Sequence, residues 1–138
     1  MAKKAKRKQN TPRMPRKRPL EPITVVFSHL KGGVGKTTAE INISNCFARM
    51  GYMTLLVDMD PQSSSSEMFL DQNRPEKTLY HVLYEEVPLA EVTQNISDNL
   101  YLAPASIDMA MLENRLRERV DGYHMLQIAL VKNDCDCV

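Results

Sequence analysis

The apolar positions of this chain form short runs and helical repeats that predict an α/β fold. Residues 23–27 and Thr54–Val57 are apolar runs of the length that buried parallel strands have. Between them, apolar side chains recur at helical spacing over residues 37–50, and Gly51 stands where a glycine commonly ends a helix. Strand, helix and strand in this order predict a right-handed βαβ unit with parallel strands.

The pattern after residue 61 is weaker, and it predicts short helices and a third strand. Their order is a helical turn at 66–70, helices at 78–84 and 89–93, a strand at Leu100–Ala103, and helices at 106–119 and from 123 to about 132. Pro104 would stop the strand, and Ser106 would cap the helix that follows it.

Composition narrows the class of protein. The 138 residues, 43% of them apolar, suffice for one ordinary domain. No apolar run approaches the ~18 residues that cross a bilayer, and no apolar segment follows the amino-terminal charges as it would in a secretory signal. Cys46, Cys135 and Cys137 are odd in number and lack the spacing of zinc ligands, which favours a reducing cytosol. A membrane protein, a secreted mini-protein and a zinc finger are disfavoured.

The net charge of +1 is divided between a basic tail and an acidic body. Residues 1–20 contain nine basic and no acidic residues, whereas the remainder has nine basic against seventeen acidic ones. Prolines would keep this tail extended. Three interpretations stay open: a nonspecific contact to DNA, a solvated extension, or a nuclear signal. The candidate DNA-contacting residues are Lys3, Lys4, Lys6, Arg7, Lys8, Arg13, Arg16, Lys17 and Arg18.

A glycine-rich turn between the first predicted strand and helix has the residues that bind phosphate. Glycines let consecutive backbone N–H groups approach a polyanion that side chains would block. Lys36 would add a positive charge for the β- and γ-phosphates, and Thr37 a hydroxyl for Mg²⁺. The general pattern G-x-x-x-x-G-K-[ST] has glycine where this chain has Leu30, and a glycine-rich turn without a ligand is the alternative.

The same turn resembles the deviant Walker A motif of the ParA/MinD family of ATPases, which has an additional lysine near its start. The matching sequence is K-G-G-V-G-K-T-T from Lys31 to Thr38, and Asn42 stands where that family commonly has asparagine. A second stretch, L-L-V-D-M-D-P-Q at residues 55–62, resembles the family's next motif. Its Asp-Pro-Gln ending is typical of the ParA/Soj partition branch. A fainter likeness follows at residues 102–106.

This resemblance implies a P-loop NTPase fold, α/β with a mostly parallel sheet flanked by helices, that binds ATP and Mg²⁺. Lys31 would be the signature lysine that reaches the partner's phosphates across a dimer holding two ATP molecules. Lys36 would neutralise phosphates and Asp60 would position the attacking water, so these three form the implied catalytic set. Thr37 and Asp58 would serve the metal. The implied nucleotide-binding residues are Lys31, Gly32, Gly33, Val34, Gly35, Lys36, Thr37 and Thr38.

The resemblance also implies a function in plasmid or chromosome partition, in the bacterial cytoplasm and at the nucleoid. ATP-dependent homodimerisation would control binding to nonspecific DNA, and a ParB-like protein would stimulate hydrolysis. Two alternatives stay open. One is a MinD-like regulator or an iron-protein-type reductase, against which the Asp-Pro-Gln ending counts. The other is a non-catalytic nucleotide-binding fragment that pairs with a full-length relative.

Residues 133–138 resemble the lead-in to the family's Walker B strand, and that strand does not follow in this sequence. We therefore predict a basic, disordered tail at 1–21 and, at 22–138, the amino-terminal part of a ParA-type ATPase domain truncated before the Walker B strand. In the family that strand lies beside the phosphate-loop strand, so we expect this polypeptide alone to fold poorly and to hydrolyse ATP weakly or not at all. Ala39 and Glu40 also depart from the family's pattern, and we expect little consequence from them.

Overall fold

A computed structural model of the chain describes residues 23–71 and 73–132, in which helices pack on both faces of a three-stranded sheet. The elements in chain order are helix α1 Lys36–Arg49, strand β1 Thr54–Val57, helices α2 Ser64–Leu70, α3 Leu79–Tyr84 and α4 Leu89–Val92, strands β2 Gln94–Ser97 and β3 Leu100–Ala103, helix α5 Met109–Arg117, a 3₁₀ turn Gly122–His124 and helix α6 Met125–Lys132.

The sheet has the strand order β1–β3–β2. β1 and β3 are parallel, with Thr54 opposite Leu100 and Val57 opposite Ala103. β2 runs antiparallel to β3, and residues 98–99 connect the two strands. Because β1 and β3 are parallel, their carboxyl ends lie at the same edge of the sheet, where ligands commonly bind in α/β proteins.

Successive side chains of β1 point into two different hydrophobic clusters. Leu56 packs with Ile41 of α1 and Leu102 of β3 in the smaller cluster. Leu55 and Val57 pack against the larger cluster, which is built mainly from α3, α4, α5 and α6. This alternation is the period of two that a strand imposes. It places α1 on one face of the sheet and the later helices on the other.

Most of the predicted elements are confirmed. The strands Thr54–Val57 and Leu100–Ala103 have the predicted bounds. Gly51 follows the C-cap residue Met50 of α1 and has a φ of 91°, a left-handed value that glycine tolerates best. The helical turn predicted at 66–70 is a longer helix that begins at Ser64, and the short helices predicted around 78–84 and 89–93 are present as α3 and α4.

The strand predicted over residues 23–27 is wrong. These residues have no regular secondary structure, and Ile23, Val25 and Val26 are exposed. A strand needs a hydrogen-bonded neighbour, and no segment of the described chain pairs with this one. The predicted βαβ unit is therefore not formed within the described residues, where the parallel pair is β1 with β3.

The predicted cap of the helix after β3 is also wrong. This helix begins at Met109, so that Asp108 occupies the N-cap position instead of Ser106. The Ser106 hydroxyl donates a hydrogen bond to Asp108 Oδ2 (3.2 Å) and accepts one from Thr78 Oγ1 (3.2 Å). Ser106 therefore connects the segment after β3 to the start of α3.

Two predicted features lie outside the described residues and stay predictions. They are the basic tail at 1–21 and the segment 133–138, which includes Cys135 and Cys137. Within the part that the structure describes, none of the helices is long and apolar enough to cross a membrane.

Candidate functional site

The glycine-rich turn forms an exposed loop ahead of α1. Gly33 and Gly35 have φ angles of 73° and 88°, which are strained for residues with a side chain. At Gly32, Gly33 and Gly35, no heavy atom of the described residues beyond the glycine itself and its two chain neighbours lies within 4 Å of the position that a Cβ would take. The loop backbone is therefore open to a ligand from outside, and this openness is what phosphate binding by consecutive N–H groups requires.

The loop leads directly into the amino terminus of α1. Gly35 is the N-cap residue, and its carbonyl accepts a hydrogen bond from the backbone N–H of Ala39 (2.8 Å). The first N–H groups of a helix have no intrahelical acceptor and carry the positive end of the helix dipole. No acidic side chain lies in the first turn of α1, where Lys36 and Thr37 stand, both partly exposed. These groups fit the phosphates of a nucleotide and an accompanying Mg²⁺.

The start of the loop is shaped by a histidine. The backbone N–H of Lys31 donates a hydrogen bond to His29 Nδ1 (3.0 Å). Lys31 itself is exposed. His29 thus has a structural contact within the loop, and Lys31 lies where a second molecule can reach it.

The two aspartates after β1 have different surroundings. Asp58 is 3% exposed, and its Oδ1 accepts a hydrogen bond from the backbone N–H of Asp60 (3.1 Å). Its Oδ2 accepts from the N–H (2.9 Å) and the hydroxyl (2.7 Å) of Ser66. Asp60 is exposed, and its Oδ1 accepts from the N–H of Gln62 (2.9 Å). An ionised carboxylate offers about four acceptor positions, so Asp58 has one left for a metal-bound water, whereas Asp60 faces solvent.

The serine run at residues 63–66 and Glu40 lie beside the predicted site residues and make contacts that the sequence did not indicate. Ser63, Ser65 and Ser66 are all buried. The hydroxyl of Ser65 donates a hydrogen bond to Glu40 Oε1, and the hydroxyl of Ser66 accepts one from the N–H of Ala105 (2.9 Å). These serines therefore join α2 to α1 and to the ends of β1 and β3. The sequence signal that could have indicated the contact to α1 was Glu40 itself, an acidic residue one helical turn after Lys36 and Thr37.

The groups that act on the Glu40 carboxylate include three of the predicted site residues. Burial raises the pKa of Glu40, and the Ser65 hydroxyl lowers it. The carboxylates of Asp58 and Asp60 raise this pKa further, and Lys36 lowers it. Lys36, Asp58 and Asp60 are thus all near enough to act on one carboxylate. The predicted DNA-contacting residues of the tail lie outside the described residues.

The residues present suit a magnesium ion held jointly with a ligand. Across residues 23–71 and 73–132, no three His, Cys, Asp or Glu side chains are grouped so that they could hold a metal ion by themselves. Mg²⁺ commonly takes one or two protein ligands and completes its shell with phosphate oxygens and water. Thr37 is partly exposed and offers a hydroxyl for such a shell, and the Asp58 carboxylate has one acceptor position left beside its three hydrogen bonds.

Comparison with known proteins gives the family. A family model described as an AAA domain matches residues 23–138. The chain is also 42% identical over 119 residues to the chromosome-partitioning ATPase Soj of Treponema pallidum, which covers 83% of this chain and 46% of that protein. The chain belongs to the AAA domain family, in its ParA/Soj partition branch. The resemblance inferred from the loop and from the Asp-Pro-Gln motif is confirmed.

Solved structures with the same fold support this ParA-type assignment. Cobyrinic acid a,c-diamide synthase from Mycobacterium smegmatis, solved with bound ADP and magnesium, has a TM-score of 0.74 and 32% identity, over 80% of this chain and 45% of that one. A plasmid partition protein from Borrelia burgdorferi has a TM-score of 0.70 and 25% identity, over 78% of this chain and 48% of that one. The P-loop fold class is confirmed, with β2 as an antiparallel addition to the parallel pair.

The ParA-type chain spans less than half the length of the curated relatives that it matches. The relatives include chromosome-partitioning and plasmid-partitioning proteins.

Proposed function

We propose that this chain binds Mg-ATP at the loop formed by residues 31–38 and acts in plasmid or chromosome partition. The observation that carries the proposal is the open loop at the start of α1, with left-handed Gly33 and Gly35 followed at once by Lys36 and Thr37. Backbone N–H groups would surround the phosphates, Lys36 would neutralise them, and the Thr37 hydroxyl would reach the ion. The relative solved with ADP and magnesium supports this ligand.

For ATP hydrolysis, we assign roles to three charged residues in and near the loop. Asp60, exposed beyond β1, would position the attacking water, and Asp58 would support the ion from its buried place. Lys31 would reach the phosphates bound by a second copy of the chain. A positive charge supplied from the partner stabilises the negative charge of the transition state, so that hydrolysis depends on dimerisation. A ParB-like protein would stimulate this step.

ATP-dependent dimerisation is the first test. With Mg-ATP the wild-type chain is expected to shift from monomer to dimer in light scattering coupled to size exclusion. Lys31→Ala should weaken the dimer by at least about tenfold, because a charged hydrogen bond contributes about 1.5–3 kcal/mol. The same variant should keep its ATP affinity in calorimetry, since Lys31 would contact the other copy's nucleotide.

Lys77→Ala is the matched control for dimerisation, because Lys77 is an exposed lysine that contacts Glu91 (2.9 Å) on the surface. An ATP-bound wild type that stays monomeric would contradict the proposed dimer that holds two ATP molecules. Equal dimerisation by the Lys31→Ala variant would contradict the role given to Lys31.

Nonspecific DNA binding is assigned to the basic tail. Each phosphate that the tail neutralises releases counterions, so the affinity should fall steeply with salt. Deleting residues 2–18, which removes all nine tail cations, is expected to abolish retention on nonspecific DNA at low salt. The measurement is fluorescence anisotropy with random-sequence DNA at several salt concentrations.

A tail of unchanged length with the nine cations replaced by glutamine separates charge from chain length. Its DNA affinity should match that of the deletion. DNA retention by either variant at the wild-type level would refute the assignment. Binding to DNA in the ATP state would also bring the protein to the nucleoid.

A second candidate is a nucleotide-binding chain without turnover. It is favoured by the segment 23–27, which precedes the loop without a strand partner in the described part of the chain. ATP binding without phosphate release, together with inhibition of a full-length relative, would identify this case. Phosphate release at the rate of an ordinary partition ATPase would exclude it.

A further inference from the structure

Glu40 contacts a helix that lies 25 residues further along the chain. It stands in the second turn of α1, is partly buried, and accepts a hydrogen bond from the hydroxyl of Ser65 in the first turn of α2. Ser65 is 1% exposed, so this hydrogen bond lies in the interface between the two helices. A partly buried carboxylate keeps its place only where a donor compensates for the lost water.

The neighbouring serine attaches the same helix to the end of β1. The N–H and the hydroxyl of Ser66 both donate to Asp58 Oδ2, at 2.9 and 2.7 Å. The segment 59–65 is therefore held by Asp58 at one end and by Glu40 and Asp58 together at the other. It contains Asp60, whose carbonyl also accepts a hydrogen bond from the N–H of Ser63 (2.8 Å).

Glu40 is also tied to the phosphate-binding end of α1. It follows Lys36 by four residues and Thr37 by three, so all three side chains lie on one side of the helix. Lys36 attracts the Glu40 carboxylate, and Asp58 and Asp60 repel it. A ligand that engages Lys36 would change the balance of charge at Glu40 and hence at Ser65.

We propose that Glu40 is a positioning residue that couples the phosphate-binding end of α1, through Ser65, to the segment from Asp60 to α2. Nucleotide binding at the loop orders this segment, and the Glu40–Ser65 hydrogen bond transmits the effect. The inference rests on the proposed binding of Mg-ATP. Glu40 is also a position at which this chain departs from the motif that it otherwise resembles.

Hydrogen exchange of the whole chain, measured with and without saturating Mg-ATP, tests the coupling. In the wild type, Mg-ATP is expected to slow exchange over residues 60–70 by about tenfold. Glu40→Ala should keep its ATP affinity within about threefold, because interactions between partly exposed charges are weak. It should lose the ATP-dependent slowing over residues 60–70. Glu40→Gln, which retains an acceptor oxygen, should restore most of it.

The difference between the two nucleotide states separates coupling from mere stabilisation. If Glu40 only stabilises α2, Glu40→Ala will speed exchange equally with and without ATP, and the ATP-dependent difference will persist; that result overturns the proposal. Ser65→Ala removes the donor of the same hydrogen bond and should also lose the ATP-dependent slowing. It replaces Glu40→Ala as the test if that variant fails to fold. Glu67→Ala is the matched control, because Glu67 is an exposed acid of α2 that pairs with Arg74.

Failure of the proposed function can be told apart from failure of this inference. A wild-type chain that does not bind ATP in calorimetry overturns the binding site itself. A wild-type chain that binds ATP while exchange over residues 60–70 is unchanged overturns only the role of Glu40.

Discussion

Replacing Lys36 by alanine is expected to weaken ATP binding by about 10- to 100-fold. A hydrogen bond between charged partners contributes about 1.5–3 kcal/mol, and each 1.4 kcal/mol corresponds to a factor of ten in affinity. Lys36 begins α1 directly after the loop and is partly exposed, so its loss removes the ammonium and leaves the backbone N–H groups in place. Isothermal titration of Mg-ATP into wild type and variant gives the ratio.

Two comparisons make this result specific. Lys77→Ala removes an exposed lysine elsewhere on the surface and should leave the ATP affinity unchanged, which excludes an effect of net charge. Circular dichroism should be the same for both variants, because the Lys36 side chain is not part of either hydrophobic cluster. A folded Lys36→Ala variant with wild-type ATP affinity would mean that the loop is not the nucleotide site.

The glycine-rich loop ahead of α1 was predictable because its signal is local. Glycines that must adopt left-handed angles, followed by lysine and threonine at the start of a helix, are adjacent in the sequence and stay adjacent in the structure. The strands β1 and β3 were predictable for the same reason, since each is a compact apolar run ended by a residue that breaks the pattern.

The elements whose strand character depends on pairing rather than on their own apolar pattern were not predictable. Residues 23–27 have an apolar pattern as clear as that of β1, yet they form no strand, because a strand is defined by its neighbour. β2 shows the converse: its sequence Q-N-I-S has one apolar residue, and pairing with β3 makes it a strand. Backbone pairing therefore outweighed local propensity in both directions.

The contacts around Asp58 were hidden for a related reason. Polar residues in sequence suggest solvent, and a run of four serines after Gln62 is equally consistent with a loop that responds to the nucleotide and with a plain linker. Ser66 is nevertheless buried, because the Asp58 carboxylate and the N–H of Ala105 satisfy its hydroxyl. A buried hydroxyl with such partners costs little, but the partners lie 8 and 39 residues away and no spacing rule connects them.

Replacing Leu102 by alanine is expected to lower the free energy of unfolding by about 3 kcal/mol. Leu102 is fully buried in β3, the central strand, and packs with Leu56 and Ile41 in the cluster between the sheet and α1. Truncating a buried leucine typically costs 2–5 kcal/mol, through lost transfer energy and the cavity left behind. Since small domains are stable by about 5–15 kcal/mol, this is a large share. Urea denaturation followed by circular dichroism measures it.

Leu30→Ala is the matched control, because Leu30 is fully exposed and the same atoms are removed. Its unfolding free energy should stay within about 0.5 kcal/mol of wild type. A Leu102→Ala variant as stable as Leu30→Ala would contradict the packing of α1 on the sheet.

Stabilisation by Mg-ATP is expected to distinguish a substitution in the core from one in the loop. A ligand that binds only the folded chain stabilises it by an amount set by ligand concentration and affinity, about 2.7 kcal/mol at 100 times the Kd. Leu102→Ala alters the core and leaves the loop intact, so Mg-ATP should stabilise this variant as much as the wild type. Lys36→Ala should gain far less at the same ATP concentration. Equal gains for the two variants would show that ATP stabilises the fold from some other place than the loop.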